Sequence, residues 1–542
     1  MGVPVATITS EGQRLDPTVE LMSVEVRREL NRVPEAELTL LDGSVAKRKF
    51  ELSESGFFAP GKSVRIDLRI EGETTDQRVF EGLVVRHSIE TSGEGSTLRV
   101  ELKDAAFKLT RQRKSALFRE QADSDAIAKL IRDGGLEAGE IAQSSVKHAE
   151  LIQYCASDWD FIVARADVLG LAVDVDAGRV SLRRLALGAT ARTLDYGLDD
   201  VAELSLDLDA RDQWAAMSSV GWDLGNQALG APQAAAQPAV EIGNLDAGAI
   251  AAELGGAHYT LFHPAALEPA ELKSWADARL LRSRLSLLRG RALVAGDARL
   301  APLDTVEING VGAPFNGKAL VSGVVHKVDH AGWQTQLLLG VAPEWFIRQP
   351  DIADVRAGGL LPPAAGLQLA TVAAFEADPL GEHRVKLKLP ALDPQSGFVW
   401  ARWARPDAGA DRGFLSWPEV GDHVVVAFLD GDPRQPIVLG ALHGKSSLAP
   451  EYAPTERNDR RSIRSRNAIR LEFDDERRSL TLLTPAGNKI ALDDADKTIT
   501  IEDQHHNRVT LSDKGIALES ARDLVLDAAG DVVIKGARVD IQ

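Results

Sequence analysis

Apolar and polar residues alternate through the first hundred positions. Val24–Val26, Ala36–Leu40, Val64–Ile70 and Leu98–Leu102 each place an apolar side chain at every second position. That is the period of a strand with one buried face. Gly43, Gly72, Gly82 and Gly93 punctuate these runs as turns, so the pattern predicts an antiparallel, barrel-like β domain. The period then lengthens. Ile127, Leu130 and Ile131 predict a helix capped by Ser124 and stopped at Gly134–Gly135. Trp159, Ile162, Val163 and Ala166 share one face of a second helix, with Ser157 and Asp160 in capping-box positions and Gly170 at its end. Strand patterns resume to about Trp222. Residues 229–256 are mainly Ala and Gly and read as a mobile loop or insertion outside the core. A helix near 271–288 and further strands reach Gly340.

The second half is built differently. Residues 350–366 are rich in Pro and Gly and read as a linker. Residues 367–444 are strand-rich and compact, and 445–467 are charged, a second linker or collar. From 468 to 542, short apolar runs such as Leu480–Leu482, Ile499–Ile501 and Leu524–Leu526 recur every seven to ten residues, settling to eight near the end. Asp, Asn and Gly fill the corners. A fixed short period predicts a solenoid or β-helix. Rungs this short cannot enclose a core alone, whereas three chains wound round one axis can, and they leave no open edge. The expected interlocked core is Ile516, Leu518, Leu524, Leu526, Val532 and Ile534. A plain antiparallel meander of about eight strands is the alternative, disfavoured because the spacing leaves no long connections.

Composition narrows the function. At 542 residues the chain has room for three or four domains. Aromatics are only 5%, so the cores rest on Val, Leu, Ile and Ala. A net charge of -18 opposes general nucleic-acid binding, which needs a basic face to displace counterions. The single cysteine, Cys155, rules out an intrachain disulfide, suits a reducing cytoplasm and reads as a small buried thiol. No secretory leader and no apolar run of membrane-spanning length is visible, so assembly in the cytoplasm is expected.

No catalytic constellation stands out. HExxH and GxSxG are absent, and Gly310-Val311-Gly312 lacks the third glycine of a dinucleotide loop. No cofactor or metal is expected; His505–His506 reads as a solvated turn. Trp400, Trp403, Phe414 and Trp417 could stack bases in principle. The nearest basic cluster, Arg457, Arg460, Arg461, Arg464, Arg466 and Arg470, reads instead as a collar pairing with residues such as Asp474 and Asp475 of a neighbouring chain. The rival functions are a cell-wall-degrading β-helix enzyme and an OB-fold nucleic-acid-binding protein.

Several motifs, in order, resemble one family. Pro418–Phe428 followed by Gly431–Leu442, with Trp400–Pro406 before them, resembles the OB-fold signature of VgrG-type spike proteins of type VI secretion, extracellular contractile injection systems and phage tails. Gln153–Tyr154, Ser157–Phe161, Phe315–Gly317, His326 and Trp333–Thr335 resemble the hub. Arg464–Arg466 leading to Leu471–Asp475 resembles the entry to the needle. The resemblance implies a homotrimer, mainly β with minor helices. Its hub, residues 1–349, would hold two barrel-like subdomains, built from strands before Thr110 and strands around Val294–Leu339. An OB-fold at 367–444 and a triple-stranded β-helix needle at 468–542 would follow.

The implied role is a structural spike, not an enzyme, joining a tail tube to a tip and puncturing membranes mechanically. The implied partners are the tail tube protein, baseplate proteins, effector cargo, the target membrane in passing, and a PAAR-type tip protein docked on Asp540, Ile541 and Gln542. Some family members carry a C-terminal effector, an inserted lysozyme or a terminal His-x-His iron site. None of these is expected here, which implies a plain needle delivered or released as part of a particle.

Overall fold

The structure, a computed structural model, describes residues 3–541 apart from 45, 94, 199–200, 392–396 and 446–454. The chain divides into two compact units, Met1–Asp354 and Val355–Gln542. It is mainly β.

In the first unit the alternating runs form one thirteen-stranded sheet. Its centre is Leu21–Glu29, which pairs with Glu35–Leu41 on one edge and with Gly317–Asp329 on the other. Two strand sets almost 300 residues apart are therefore continuous, each curling over its own core. Leu38, Ile66, Leu68, Leu98 and Leu102 fill the first; Leu288, Val306, Ile308, Leu320 and Leu337 fill the second.

The seam places the hub-like residues His326 and Trp333. Val328 and Trp333 come from the second strand set yet pack into the first core. His326, opposite Val26 in the register, is buried, and its Nδ1 lies 3.0 Å from Thr335 Oγ1. Burial lowers its pKa to about 4, because the charged form has lost its water. Gly317 has φ +120, and a Cβ there would stand 2.5 Å from the Gly243 carbonyl. No other residue fits that crossing.

Residues 105–186 fold beside the sheet around the helices Asp123–Asp133 and Asp158–Val168. Ser157 caps the second helix as its spacing predicts, accepting a bond from Asp160 N at 3.0 Å. The first differs from expectation. It starts at Asp123, with Ala122 in the cap position, and Ser124 makes no cap. The Asp123 carboxylate instead accepts from Arg165 Nε at 2.6 Å and faces His148 Nε2 at 2.8 Å. Ser124 lies one residue inside the helix, and its N–H donates to Ser144 Oγ at 3.1 Å.

Two other readings change. Residues 229–256 are not simply a mobile insertion. Gln233–Ala234 pairs with Ala216–Asp223, Ala247–Glu253 is a helix capped by Asp246, and Ile242 is buried in the second core. Alanine-rich chain buries little area per residue, so its composition hides such packing. Cys155 is half-exposed, not buried. It sits at φ +44 in a bulge between Gln153 and Ala156, which turns its side chain off the strand's inner face.

In the second unit, Gln368–Ala374, Val385–Lys388, Phe398–Trp403, Pro436–Leu442 and His423–Phe428 close into a five-stranded barrel. Val385, Leu387, Ala401, Val424, Val426 and Val438 fill it. The motif residues around it are turn chemistry. Asp432 accepts from the backbone and side chain of Arg434, and Gly421 and Gly431 supply φ of +95 and +74.

Candidate functional site: an apolar sheet face without a cover

After the barrel the chain makes seven strands: Arg460–Arg464, Arg470–Asp474, Ser479–Leu483, Lys489–Asp493, Thr498–Glu502, Arg508–Ser512 and Gly515–Glu519. Each pairs antiparallel with the next, so within one chain this stretch is a meander. It begins at Arg460, inside the stretch read as a collar. The alternation then has a direct consequence. Ile463, Leu471, Leu482, Ile490, Ile501, Val509 and Leu518 stand opposite one another across successive strands. Phe473, Leu480, Leu492, Ile499, Leu511 and Ile516 form a second column on the same face. The other face carries Glu472, Thr481, Ala491, Thr500, Thr510 and Ala517.

Among the described residues of the second unit, none covers the apolar face. From Thr455 to Ile541, Ala491 is the sole buried apolar residue. The six residues expected to form an interlocked core are 53–73% exposed. Ile516 and Leu518 extend the two columns on the last strand. Leu524, Leu526, Val532 and Ile534 follow in a stretch that makes no strand pairing within the chain. The structure thus places two of the six in the ladder and four beyond it. At the end, Asp540 pairs with Arg538 at 2.6 Å and Ile541 is exposed; Gln542 lies outside the described residues.

One turn recurs, and the spacing of apolar runs did not reveal it. At Ser465–Ile469, Thr484–Asn488 and Asp503–Asn507 the first residue's N–H donates to the fifth carbonyl, at 2.9, 3.0 and 3.1 Å. In each, the first side-chain oxygen accepts from the fifth N–H. In each, the fourth residue, Ala468, Gly487 or His506, has positive φ. The turns stand 19 residues apart. The asparagines also tie forward: Asn488 Oδ1 accepts from Gln504 N at 3.2 Å and Asn507 Oδ1 from Ala521 N at 2.9 Å. The visible signal was Asn488 and Asn507, 19 positions apart.

Several arginines of the expected collar have carboxylate partners within the chain. Arg460 pairs with Asp474 at 3.4 Å, Arg461 with Asp475, and Arg466 with Glu419 at 3.0 Å. The antiparallel register brings 460–461 opposite 473–474, so Arg460 and Arg461 meet Asp474 and Asp475 within one chain. Arg508 bonds Glu502 at 3.1 Å and holds that carboxyl below its ordinary range. His505 and His506 lie in the third turn, His506 exposed. Among the described residues no cluster of His, Cys, Asp and Glu is arranged to hold a metal ion.

The barrel aromatics do not form a free platform. Arg405 stands 4.3 Å over the Trp417 ring, His383 is tilted at 6.5 Å beside it, and Arg384 is 5.9 Å from the Trp400 ring. Trp403 packs on the barrel core. No helix among the described residues is long and apolar enough to cross a membrane.

Comparison with known proteins covers nearly the whole chain. The Alg8 N-terminal domain family matches residues 2–330. The type VI secretion system/phage-baseplate injector OB domain matches 368–443, and the phage baseplate V C-terminal trimerisation domain matches 479–542. The type VI secretion system spike protein VgrG1c of Pseudomonas aeruginosa is 24% identical over 81% of this chain and 62% of its own length. VgrG2b of the same organism is 31% identical over 36% of this chain and 21% of its own length. The chain thus spans less than two thirds of these relatives. The Francisella PdpA–VgrG complex aligns with a TM-score of 0.42 at 9% identity, over 96% of this chain and 80% of the other.

Proposed function

Because the chain belongs to the Alg8 N-terminal domain family and to the VgrG-type spike proteins of type VI secretion and phage baseplates, we propose that three copies form a hub and needle that acts by mechanical puncture. The observation that carries this reading is the uncovered pair of apolar columns. A half-exposed Leu or Ile gains roughly 1 kcal/mol when covered. Three chains bring thirty-nine such apolar side chains together, roughly 39 kcal/mol, against about 8–30 kcal/mol for the two association steps. Three sheets meeting by their apolar faces satisfy all of them at once, and three-fold closure leaves no face over.

The unpaired stretch after Glu519 fits the same scheme. Its backbone donors and acceptors find no ladder within the chain, and two neighbouring copies supply one. Leu524, Leu526, Val532 and Ile534 then continue the interior as an interwound needle. In this reading the hub seats on the tail tube and baseplate proteins, and a PAAR-type tip docks at Asp540, Ile541 and Gln542. Cargo travels with the particle, and contact with the target membrane is transient. The protein supplies stiffness and performs no chemistry, and it reaches the outside as part of the machine.

The test is a charge placed in the interior. Leu524→Asp should abolish the trimer, read by light scattering of the full-length protein. A stable trimer of unchanged mass would sink the proposal. Vesicles loaded with dye and exposed to contracting particles should release it only when the spike is trimeric.

A further inference from the structure

The first unit ends in a segment that no sheet holds. Beyond the strand Gly332–Leu339, residues 342–352 contain only a short 3-10 turn, Phe346–Arg348. Left free, eleven residues span up to about 38 Å. Three arginines and one aspartate hold them instead. Arg282 Nη1 donates to the carbonyls of Ala342 and Glu344 at 2.9 and 3.3 Å. Arg279 Nη1 donates to the Pro343 carbonyl at 2.7 Å while its guanidinium lies over the Trp345 ring, which also meets Trp275 edge-on. Arg113 donates to the carbonyls of Ile352 and Asp351 at 2.7 and 2.6 Å. Asp167, itself buried, accepts from Phe346 N at 3.1 Å and pairs with Arg282. Gly340 opens the segment at φ +73, where a Cβ would come within 2.2 Å of the Leu288 carbonyl.

Five guanidinium-to-carbonyl bonds fasten main chain, from the Pro269–Leu285 helix and from the start of the Arg113–Ala122 strand, and Asp167 of the Asp158–Val168 helix adds a carboxylate that holds the Phe346 amide. Such bonds hold main-chain atoms whatever side chains the segment carries. They also fasten it near both ends, with the exposed stretch 347–350 between.

We propose that Arg113, Asp167, Arg279 and Arg282 form a clasp that turns residues 342–352 from a slack tether into a rigid, load-bearing connector. The proposal rests on the mechanical reading above. Load passing along the chain from the first unit to the second crosses this segment, and a slack connector would absorb thrust before passing it on.

The experiment is hydrogen exchange on the full-length trimer, followed by delivery from assembled particles. Arg113→Gln releases one end and Arg282→Gln the other. Each should raise exchange of the Phe346–Ile352 amides about tenfold while leaving trimer mass and strand exchange in the first unit unchanged. Particles carrying the double variant should assemble yet deliver less than a tenth of wild type. Unchanged exchange in Arg113→Gln, the milder and more exposed site, overturns the clasp even if Arg282→Gln fails to fold. Faster exchange with undiminished delivery overturns the load-bearing role. Wild-type particles that deliver nothing would count against the mechanical reading itself, while the exchange result still decides whether the clasp holds the segment.

Discussion

The sheet of the first unit and the sheet at the C-terminus are made from the same alternation and end in opposite states. In the first, Leu38, Leu40, Leu98 and Leu102 are wholly buried by strands of their own chain. In the second, Leu482, Ile490, Leu492 and Ile501 face outward. The difference lies in the connections. The first sheet has turns and helices long enough to let it curl and to send Gly317–Asp329 back against Leu21–Glu29. The second has only tight turns, so it stays a ribbon that none of its own described strands folds over. Alternation therefore specifies a face, and loop length decides whether one chain can cover it.

The sharpest way to break this comparison is to charge one face and watch the other. Leu492→Asp should eliminate the trimer by light scattering and leave the thermal transition of the first unit in place. Next in size is Leu38→Ala. It should cost the first unit roughly 2–5 kcal/mol in urea unfolding, the usual penalty for an emptied core position, and leave trimer mass unchanged. If Leu38→Ala dissolves the trimer, the two sheets are not independent and the contrast fails.

A third test uses acid. His326 titrates near 4 in the fold and near 6.5 unfolded. A lowered folded pKa means the unfolded chain takes up the proton first. The stability it lends is present above pH 6.5 and is lost as pH falls from 6.5 to 4. The loss approaches about 3 kcal/mol, measured by urea unfolding of the first unit, and His326→Asn should flatten that dependence. Smaller effects belong to the C-terminal sheet. Asn507→Ala, which frees Ala521 N, should cost roughly 1 kcal/mol, read as faster exchange at Ala521. Arg461→Ala removes an exposed pair with Asp475 and should change the melting temperature by almost nothing.

Much of this was legible in the sequence. Many of the strands and both helices in residues 105–186 follow from periodicity and turn residues, and the barrel was legible through the resemblance carried by Pro418–Phe428. The seam was not, because the pairing of Val24 with Val328 is set by tertiary contact and leaves no local mark. Asp474 and Asp475 were legible as partners for the arginines, but only the register shows that they stand beside Arg460 and Arg461 of the same chain. Ser124 looked like a cap because the helix gains its first residue, Asp123, through His148 and Arg165, which lie 25 and 42 residues away and leave no local mark.

The three matching turns set how this ribbon can change size. Each unit of 19 residues is one strand out and one strand back. Adding a unit widens the sheet by two strand spacings, about 9.5 Å, and returns the chain to the side from which it left. Adding a single strand would deliver the end of the chain on the wrong side. The ribbon is in effect graduated: its reach can be lengthened or shortened by whole marks, with every residue after the insertion keeping its face.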